Sequence, residues 1–496
     1  MTSLGPTLGT LRRAADQLLG QLAHGDMGCT IYEVASVARV PHWVADRPAF
    51  PGLLQWLAGQ QADDGGWKSG PGSSSARVLA TLASIVALSE HDAAGVETQR
   101  SVARFIERNW SVATSETEPV VGFEVLSAVL VQEAMHFGLP LSDIAKDAES
   151  MRTEKLARFP VSHFYEPTAS ASYSLECLGA SLDIESAHGL ELSDGSIAGS
   201  PSATAYYLRM TGKEDAFHYL GSLVSTLGVE RIGCAYPTDL YERLWVMNSL
   251  RRAGLLNPAR SASHIQHVRE AWTDRGIGWS NLHPLVDVDE TAVGLVVLGA
   301  AEATAKASVL EHFHDGVSYR TYPTETSPSA AAIAHVLEAL LRLGVGPPQR
   351  ASAVASELWT LLRADGLWID KWHVSPFYAT AEAVMALLPT NDDRLQKVVD
   401  KMCNQQRPDG GWGYGWDSTV EETAYCVQAL CLFRSAGGSV PASVLEAAKA
   451  RLVAGLEEPI NSYPGLWLGK DNYCPRLVVR GALVAALGML CETDEM

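Results

Sequence analysis

Apolar residues recur at helical spacing along most of the chain. Ala381, Val384, Met385, Leu387 and Leu388 show the pattern clearly, as one face of a helix requires. Alternating stretches that would signal β-strands are not evident. The pattern predicts an all-α protein built from paired helices. Thr-Ala opens an apolar stretch at Thr204-Ala205, Thr291-Ala292, Thr380-Ala381 and Thr423-Ala424, with gaps of 87, 89 and 43 residues. A unit of about 44 residues repeats, as in stacked helical hairpins. An Ala-rich stretch over residues 329–341 falls near the missing midpoint.

A second repeat has the form Gln-x3-Gly-x-Trp, at Gln61, Gly65 and Trp67 and again at Gln406, Gly410 and Trp412. Shorter copies end in Gly366-Leu-Trp368, Gly278-Trp279 and Gly465-Leu-Trp467. Glycine permits the sharp turn, tryptophan packs on the next hairpin, and glutamine caps a neighbouring helix end. All of these positions are expected to be structural.

Composition narrows the function. Hydrophobic residues make up 47% of the 496 and charged ones 19%, so large buried surfaces are available to two or three domains. A net charge of −19 argues against nucleic acid and anionic lipid as partners. No apolar run approaches the roughly 20 residues of a membrane span, and residues 1–19 lack a signal-peptide core. Eight cysteines without a CxxC pair suit neither a disulfide scaffold nor a zinc site. A cytoplasmic location without stable membrane insertion is the expectation.

The chemistry concentrates in Asp287-Val-Asp289-Glu290-Thr291-Ala292, which runs directly into an apolar stretch over residues 292–301. Clustered carboxylates beside a hydrophobic wall are costly unless one holds its proton. A neutral carboxylic acid facing an apolar cavity is suited to protonating an apolar substrate. A helix N-cap cluster is the structural alternative.

Together, the tryptophan repeats and this acidic segment resemble the class II, protonation-initiated terpene cyclases, along nearly the whole chain. Thr30-Ile-Tyr32-Glu33 stands where diterpene cyclases carry SxYDTA, and Val121-Gly122-Phe123-Glu124 is similar to VGFE. The segment at 155–160 resembles KLxKIP, and the one at 200–205 resembles SPSSTA. Asp370-Lys371-Trp372, Glu421-Glu422-Thr423-Ala424, and Trp467-Leu-Gly-Lys470 with Tyr473 resemble bacterial diphosphate-retaining members of the copalyl, halimadienyl and clerodienyl diphosphate synthase type. The resemblance implies two α/α-barrel domains: a β domain comprising residues 1–24 and 229–496, and an inserted γ domain, 25–228, with the cavity between them. The class I signatures DDxxD and NSE are missing, Asp392-Asp393-Arg-Leu-Gln lacking the last acid. The diphosphate is therefore expected to be retained, leaving its ionisation to a separate class I synthase downstream.

By the same resemblance, Asp289 is the proton donor, with Asp287 and Glu290 positioning its proton. Tyr173, Trp245, Trp372, Phe377 and Tyr378 are candidate aromatic walls for the cations that follow, because ring faces stabilise positive charge without attacking it. Glu124 and the pair Glu116/Glu118 are implied Mg²⁺ ligands, with Glu124 and Glu118 foremost. Lys155, Lys371 and Lys470 are implied diphosphate contacts; either charge complement is physically reasonable.

Four positions depart from the family pattern. Glu290 replaces an aspartate. Ile333 replaces an asparagine that usually supports the acid, so either Glu290 or His335, two residues on, takes over that support or the protonation geometry differs. Tyr173 and Cys234 stand where plant enzymes making ent-copalyl diphosphate carry a His and an Asn that remove the final proton. A neutral phenol is a poor base, so a product other than ent-copalyl diphosphate is expected, of rearranged halimadane or clerodane type or another labdane stereoisomer. Geranylgeranyl diphosphate is the expected substrate. Farnesyl diphosphate, giving a drimane-type diphosphate, is an alternative, and a non-catalytic helical-repeat scaffold is a more distant one.

Overall fold

The computed structural model describes residues 6–43, 47–325, 327–345 and 348–495. Residues 1–5 of the expected first segment lie outside the described residues. Helices dominate. The only regular strands among the described residues are Trp467–Leu468 and Asn472–Tyr473, an antiparallel hairpin that the hydropathy pattern did not announce.

The buried side chains fall into two cores. The larger takes Leu11 to Met27 and then resumes at Cys234. The smaller runs from Ile31 to Ile232 and adds one distant residue, Leu468.

Each core is wrapped by a closed ring of helices. In the larger ring, Asp239–Arg252, Val288–Leu298, Ala330–Leu343, Pro376–Leu387, Val420–Ser435 and Arg476–Glu495 pack in that order, and the last returns to the first. In the smaller ring, Ile31–Ala38, Ser74–Glu90, Phe123–His136, the 3₁₀ segment Ser170–Ser181 and Pro201–Thr211 close in the same way. Between ring helices come outer ones such as Pro258–Ala271 and Arg394–Asn404. Burial separates the two layers as an α/α barrel requires. Every residue of Val288–Leu298 is buried, whereas Arg394–Asn404 buries only Leu395, Val398, Val399 and Met402, a single stripe.

The two sequence repeats turn out to be halves of one device. The indole N–H of Trp67 donates to the Leu57 carbonyl at 2.7 Å, that of Trp368 to Leu358 at 2.6 Å and that of Trp412 to Met402 at 2.8 Å. Their backbone N–H groups donate to Thr81, Thr380 and Thr423 Oγ1 at 3.0, 3.0 and 3.1 Å. The tryptophan thus ties the outer helix before it to the ring helix after it. The glutamine spans the turn, Gln61 Nε2 donating to the Gly65 carbonyl at 3.0 Å and Gln406 Nε2 to that of Gly410 at 2.8 Å.

Candidate active site

A cavity with about 840 Å³ of space not filled by protein atoms, its open mouth included, lies between the two cores. Its lining comes from the N-terminal turns of ring helices and the loops leading into them. Val121 and Tyr173 enter from the smaller ring; Thr238, Asp289, Tyr322, Trp372 and Tyr473 enter from the larger. Helix N-termini carry partial positive charge.

Asp287 is the N-cap of Val288–Leu298, its Oδ1 accepting from the Glu290 backbone N–H at 2.8 Å. The helix-cap alternative is thus correct for Asp287, and it places the next two acids on the first turn. Asp289 and Glu290 line the cavity while Asp287 stays behind it. Burial pushes the carboxyl of Glu290 well above the usual range, and the charge of Asp287 adds to that. Burial also pushes Asp287 up, against the hydrogen bonds it receives from Glu290.

Ile333 is fully buried and turned into the core. His335 takes up the acid instead, its Nδ1 in hydrogen-bond contact with Asp289 Oδ1. Its Nε2 lies 3.2 Å from Glu382 Oε2. Burial disfavours charge on the ring, but Asp289 and Glu382 outweigh it and push His335 up to about 10.

Of the expected aromatic walls, Tyr173, Trp245 and Trp372 line the cavity; Phe377 and Tyr378 do not. Both are 1% exposed in the larger core. Tyr378 acts one layer out, accepting the Trp245 indole N–H at 3.2 Å. Trp279 and Trp467 correct the reading of every glycine–tryptophan repeat as structural, because both line the cavity. They lack the outer-helix carbonyl that holds the other three; Trp467 donates to Glu421 Oε1 at 2.6 Å instead. Tyr241 and Tyr322, not foreseen, complete the wall with Tyr473. Tyr241 lies 4.6 Å from Trp245 and 5.7 Å from Trp467 between ring centroids.

Tyr173 donates its hydroxyl hydrogen to the Cys234 carbonyl at 2.8 Å, and burial pushes its pKa well above 10. The side chains lining the cavity include no His, Asn or Lys among the described residues.

Lys470 departs from its expected role. Its ammonium group is fully buried and donates to Glu176 Oε1 at 2.7 Å, Ser200 Oγ at 2.8 Å and Ser202 Oγ at 2.5 Å. A lysine has three hydrogens to give, so none is left for a diphosphate. The residue stands behind the Tyr173 ring, 4.3 Å from its centroid. Glu116 is also committed, its carboxylate accepting from the Ser74 and Ser75 backbone N–H groups at 2.5 and 3.2 Å, where it caps a ring helix.

Of the remaining charged candidates, Lys371 is next in sequence to the lining residue Trp372, and Glu118 and Glu124 stand three residues either side of Val121. Lys155 pairs with Glu124 at 3.0 Å. Lys371 pairs with Glu325 at 2.6 Å and donates to the Ser327 carbonyl at 3.0 Å. Burial pushes Glu118 up; Lys371 opposes this, while Asp370 and Glu325 reinforce it.

Comparison with known proteins agrees with this architecture. Residues 322–432 match the family model for the squalene-hopene cyclase C-terminal domain. The chain is 28% identical over 510 residues to a type B diterpene cyclase of Mycobacterium tuberculosis, covering 96% of this chain and 99% of that one. It is 30% identical over 521 residues to uncharacterized protein blr2149 of Bradyrhizobium diazoefficiens, covering 97% and 95%. Among solved structures it resembles ent-copalyl diphosphate synthase from Streptomyces platensis, with a TM-score of 0.77, 25% identity and coverage of 97% and 99%. The chain belongs to the class II terpene cyclases and is an enzyme of that class.

Proposed function

We propose that the protein is a class II diterpene cyclase that converts geranylgeranyl diphosphate to a bicyclic diphosphate, keeping the diphosphate on the product. The observation that carries this reading is Asp289: a carboxyl group lining an aromatic cavity, backed by His335. Similarity to diterpene cyclases at nearly full length supports the C20 substrate.

In this reading Asp289 gives its proton to the terminal alkene, and the resulting cation closes two rings. An imidazolium at His335 and the N-terminus of Val288–Leu298 stabilise the carboxylate left behind. The rings of Trp245, Tyr241, Trp372 and Trp467 face the positive charge as it moves. One proton is lost at the end, so the product is an isomer of the substrate.

The diphosphate lies at the charged rim with Lys371 and Lys155. Among the described residues no three acids, His or Cys converge to hold a metal unaided, so Mg²⁺ here would need phosphate oxygens. Mg²⁺ commonly takes one or two carboxylates plus phosphate oxygens. Glu118, crowded by other acids, fits such an ion, and Glu124, in the first turn of Phe123–His136, is the second carboxylate the reading assigns to it. When bound, Mg²⁺ would neutralise the diphosphate while the far end of the substrate reacts.

The test is incubation with geranylgeranyl or farnesyl diphosphate plus Mg²⁺, then dephosphorylation and mass spectrometry. A bicyclic C20 alcohol, absent with Asp289→Asn, is expected. Turnover of farnesyl diphosphate alone would reassign the substrate, and turnover of neither would overturn the reading.

A further inference from the structure

The mechanism above uses His335 but not what lies behind it. Glu382 Oε2 faces His335 Nε2 at 3.2 Å. Arg252 grips that carboxylate in bidentate fashion, at 2.9 Å from Oε1 and 2.7 Å from Oε2. Arg252 also pairs with Glu338 at 2.5 Å, and Arg251 holds the other oxygen of Glu338 at 2.6 Å. The chain runs from the cavity wall outward through three ring helices, with His335, Glu382 and Arg252 only 2%, 3% and 5% exposed. Burying this many charges is costly and does little for stability.

We propose that Glu382, clamped by Arg252, is a positioning residue that fixes which way Asp289 holds its proton; the proposal rests on Asp289 being the acid. Imidazole Nδ1 can accept or donate. If the ring were neutral with a bare Nδ1, it would accept the Asp289 hydrogen, turning the proton away from the alkene. A carboxylate held against Nε2 keeps a hydrogen there and favours the doubly protonated ring. Nδ1 then donates to Asp289 Oδ1, and the proton of the acid is left on the other oxygen.

Glu382 is the charged group in contact with the ring and Glu338, of the same sign, stands one turn along its own helix; Asp289 contacts the ring as the neutral acid, and the edge of Trp245 lies 5.6 Å away between centroids. Tyr378, beside Glu382, is kept neutral by burial. Burial works against the Glu382 carboxylate, but Arg252 and His335 outweigh it and bring its pKa down to about 2, so it is not a proton carrier. The network is a fixed electrostatic brace, not a relay.

The test combines kinetics with a measurement on the unaltered protein. Glu382→Gln is expected to lower kcat on geranylgeranyl diphosphate by roughly 10–100-fold, by analogy with loss of the carboxylate behind a metal-bound imidazole. KM stays near the wild-type value, and the alkaline fall of kcat moves to lower pH. Glu338→Gln, which removes a charge one position further out, shifts that limb less. In ¹⁵N-histidine spectra of the wild-type chain, His335 (assigned by its loss in His335→Gln) shows both ring nitrogens protonated near neutral pH. A neutral His335 in those spectra overturns the proposal, whether or not Glu382→Gln folds. So does a folded Glu382→Gln with wild-type kcat and alkaline limb. Full activity in Asp289→Asn would instead remove the acid assignment itself, which separates the two failures.

Discussion

Lys470 Nζ lies 2.7 Å from Glu176 Oε1, joining the hairpin ahead of Arg476–Glu495 in the larger ring to the 3₁₀ segment Ser170–Ser181 of the smaller one. The hairpin that carries Lys470 also places Leu468 in the smaller core and Asp471 at the start of Ile31–Ala38, where its Oδ2 accepts the Tyr32 N–H at 3.2 Å. The tip is a clasp between the cores, and its root supplies Trp467 and Tyr473 to the cavity. Lys470→Met would leave Glu176 without its cation. Breaking a buried pair costs about 3–5 kcal/mol. Urea unfolding is expected to show a loss of that order, with KM for the diphosphate substrate little changed in protein that remains folded. A large rise in KM at wild-type stability would return Lys470 to the diphosphate.

The same clasp should respond to pH. Burial pushes Glu33 up to about 8, with Lys470 opposing and Glu176 reinforcing. The native state therefore keeps a proton that the unfolded chain releases near its ordinary value of about 4.3. For a raised acid, this contribution to stability is complete below about pH 4. It declines as pH rises and is gone above about 8. Urea midpoints measured from pH 5 to 9 should fall with pH in the wild type and fall less in Glu33→Gln. Parallel curves for the two proteins would remove Glu33 as the cause.

Glu290 and Asp289 are neighbours with different tasks, and amide substitutions should separate them. Burial and Asp287 keep Glu290 in its neutral form, so glutamine preserves both its shape and its charge. Glu290→Gln is expected to retain kcat within about tenfold, whereas Asp289→Asn, which has no acidic proton, should lose on the order of 10²–10⁴-fold or more. Equal losses in single-turnover measurements would mean that Glu290 takes part in the proton transfer.

Much of this organisation was legible in the chain because it depends on local rules. Thr380 and Thr423 announced ring helices, and Trp67 and Trp412 announced the turns that feed them. Asp289 was marked by acids set against an apolar helix. What escaped was set by the meeting of distant segments. Trp279 carries the same glycine–tryptophan signal as Trp67, yet only the packing of two rings decides that it faces a cavity. Lys470 looked like a free cation because Glu176, Ser200 and Ser202 lie more than 250 residues earlier in the chain. Tyr241 and Tyr322 sit in no repeat, and nothing near them in sequence distinguishes a cavity wall from a core aromatic. Glu382 could have been suspected from a lone charge on the otherwise apolar helix Pro376–Leu387, but not its contacts with Arg252 and His335.

Tyr173 links the cavity to the product. Its hydroxyl hydrogen is given to the Cys234 carbonyl, and the burial that raises its pKa makes the phenolate inaccessible. A phenol so placed is a wall and not a base. In the proposed reaction the bicyclic cation would then have time for hydride and methyl shifts before a proton leaves, so a rearranged skeleton is expected over ent-copalyl diphosphate. Tyr173→Phe should therefore change the product mixture little. Tyr173→His would bring a neutral imidazole, which can take a proton near pH 7, to the same wall. Its product should shift toward an unrearranged bicyclic diphosphate, read by mass spectrometry after dephosphorylation. If the wild type already makes ent-copalyl diphosphate as its main product, Tyr173 does not govern termination, and the proton leaves toward another part of the wall.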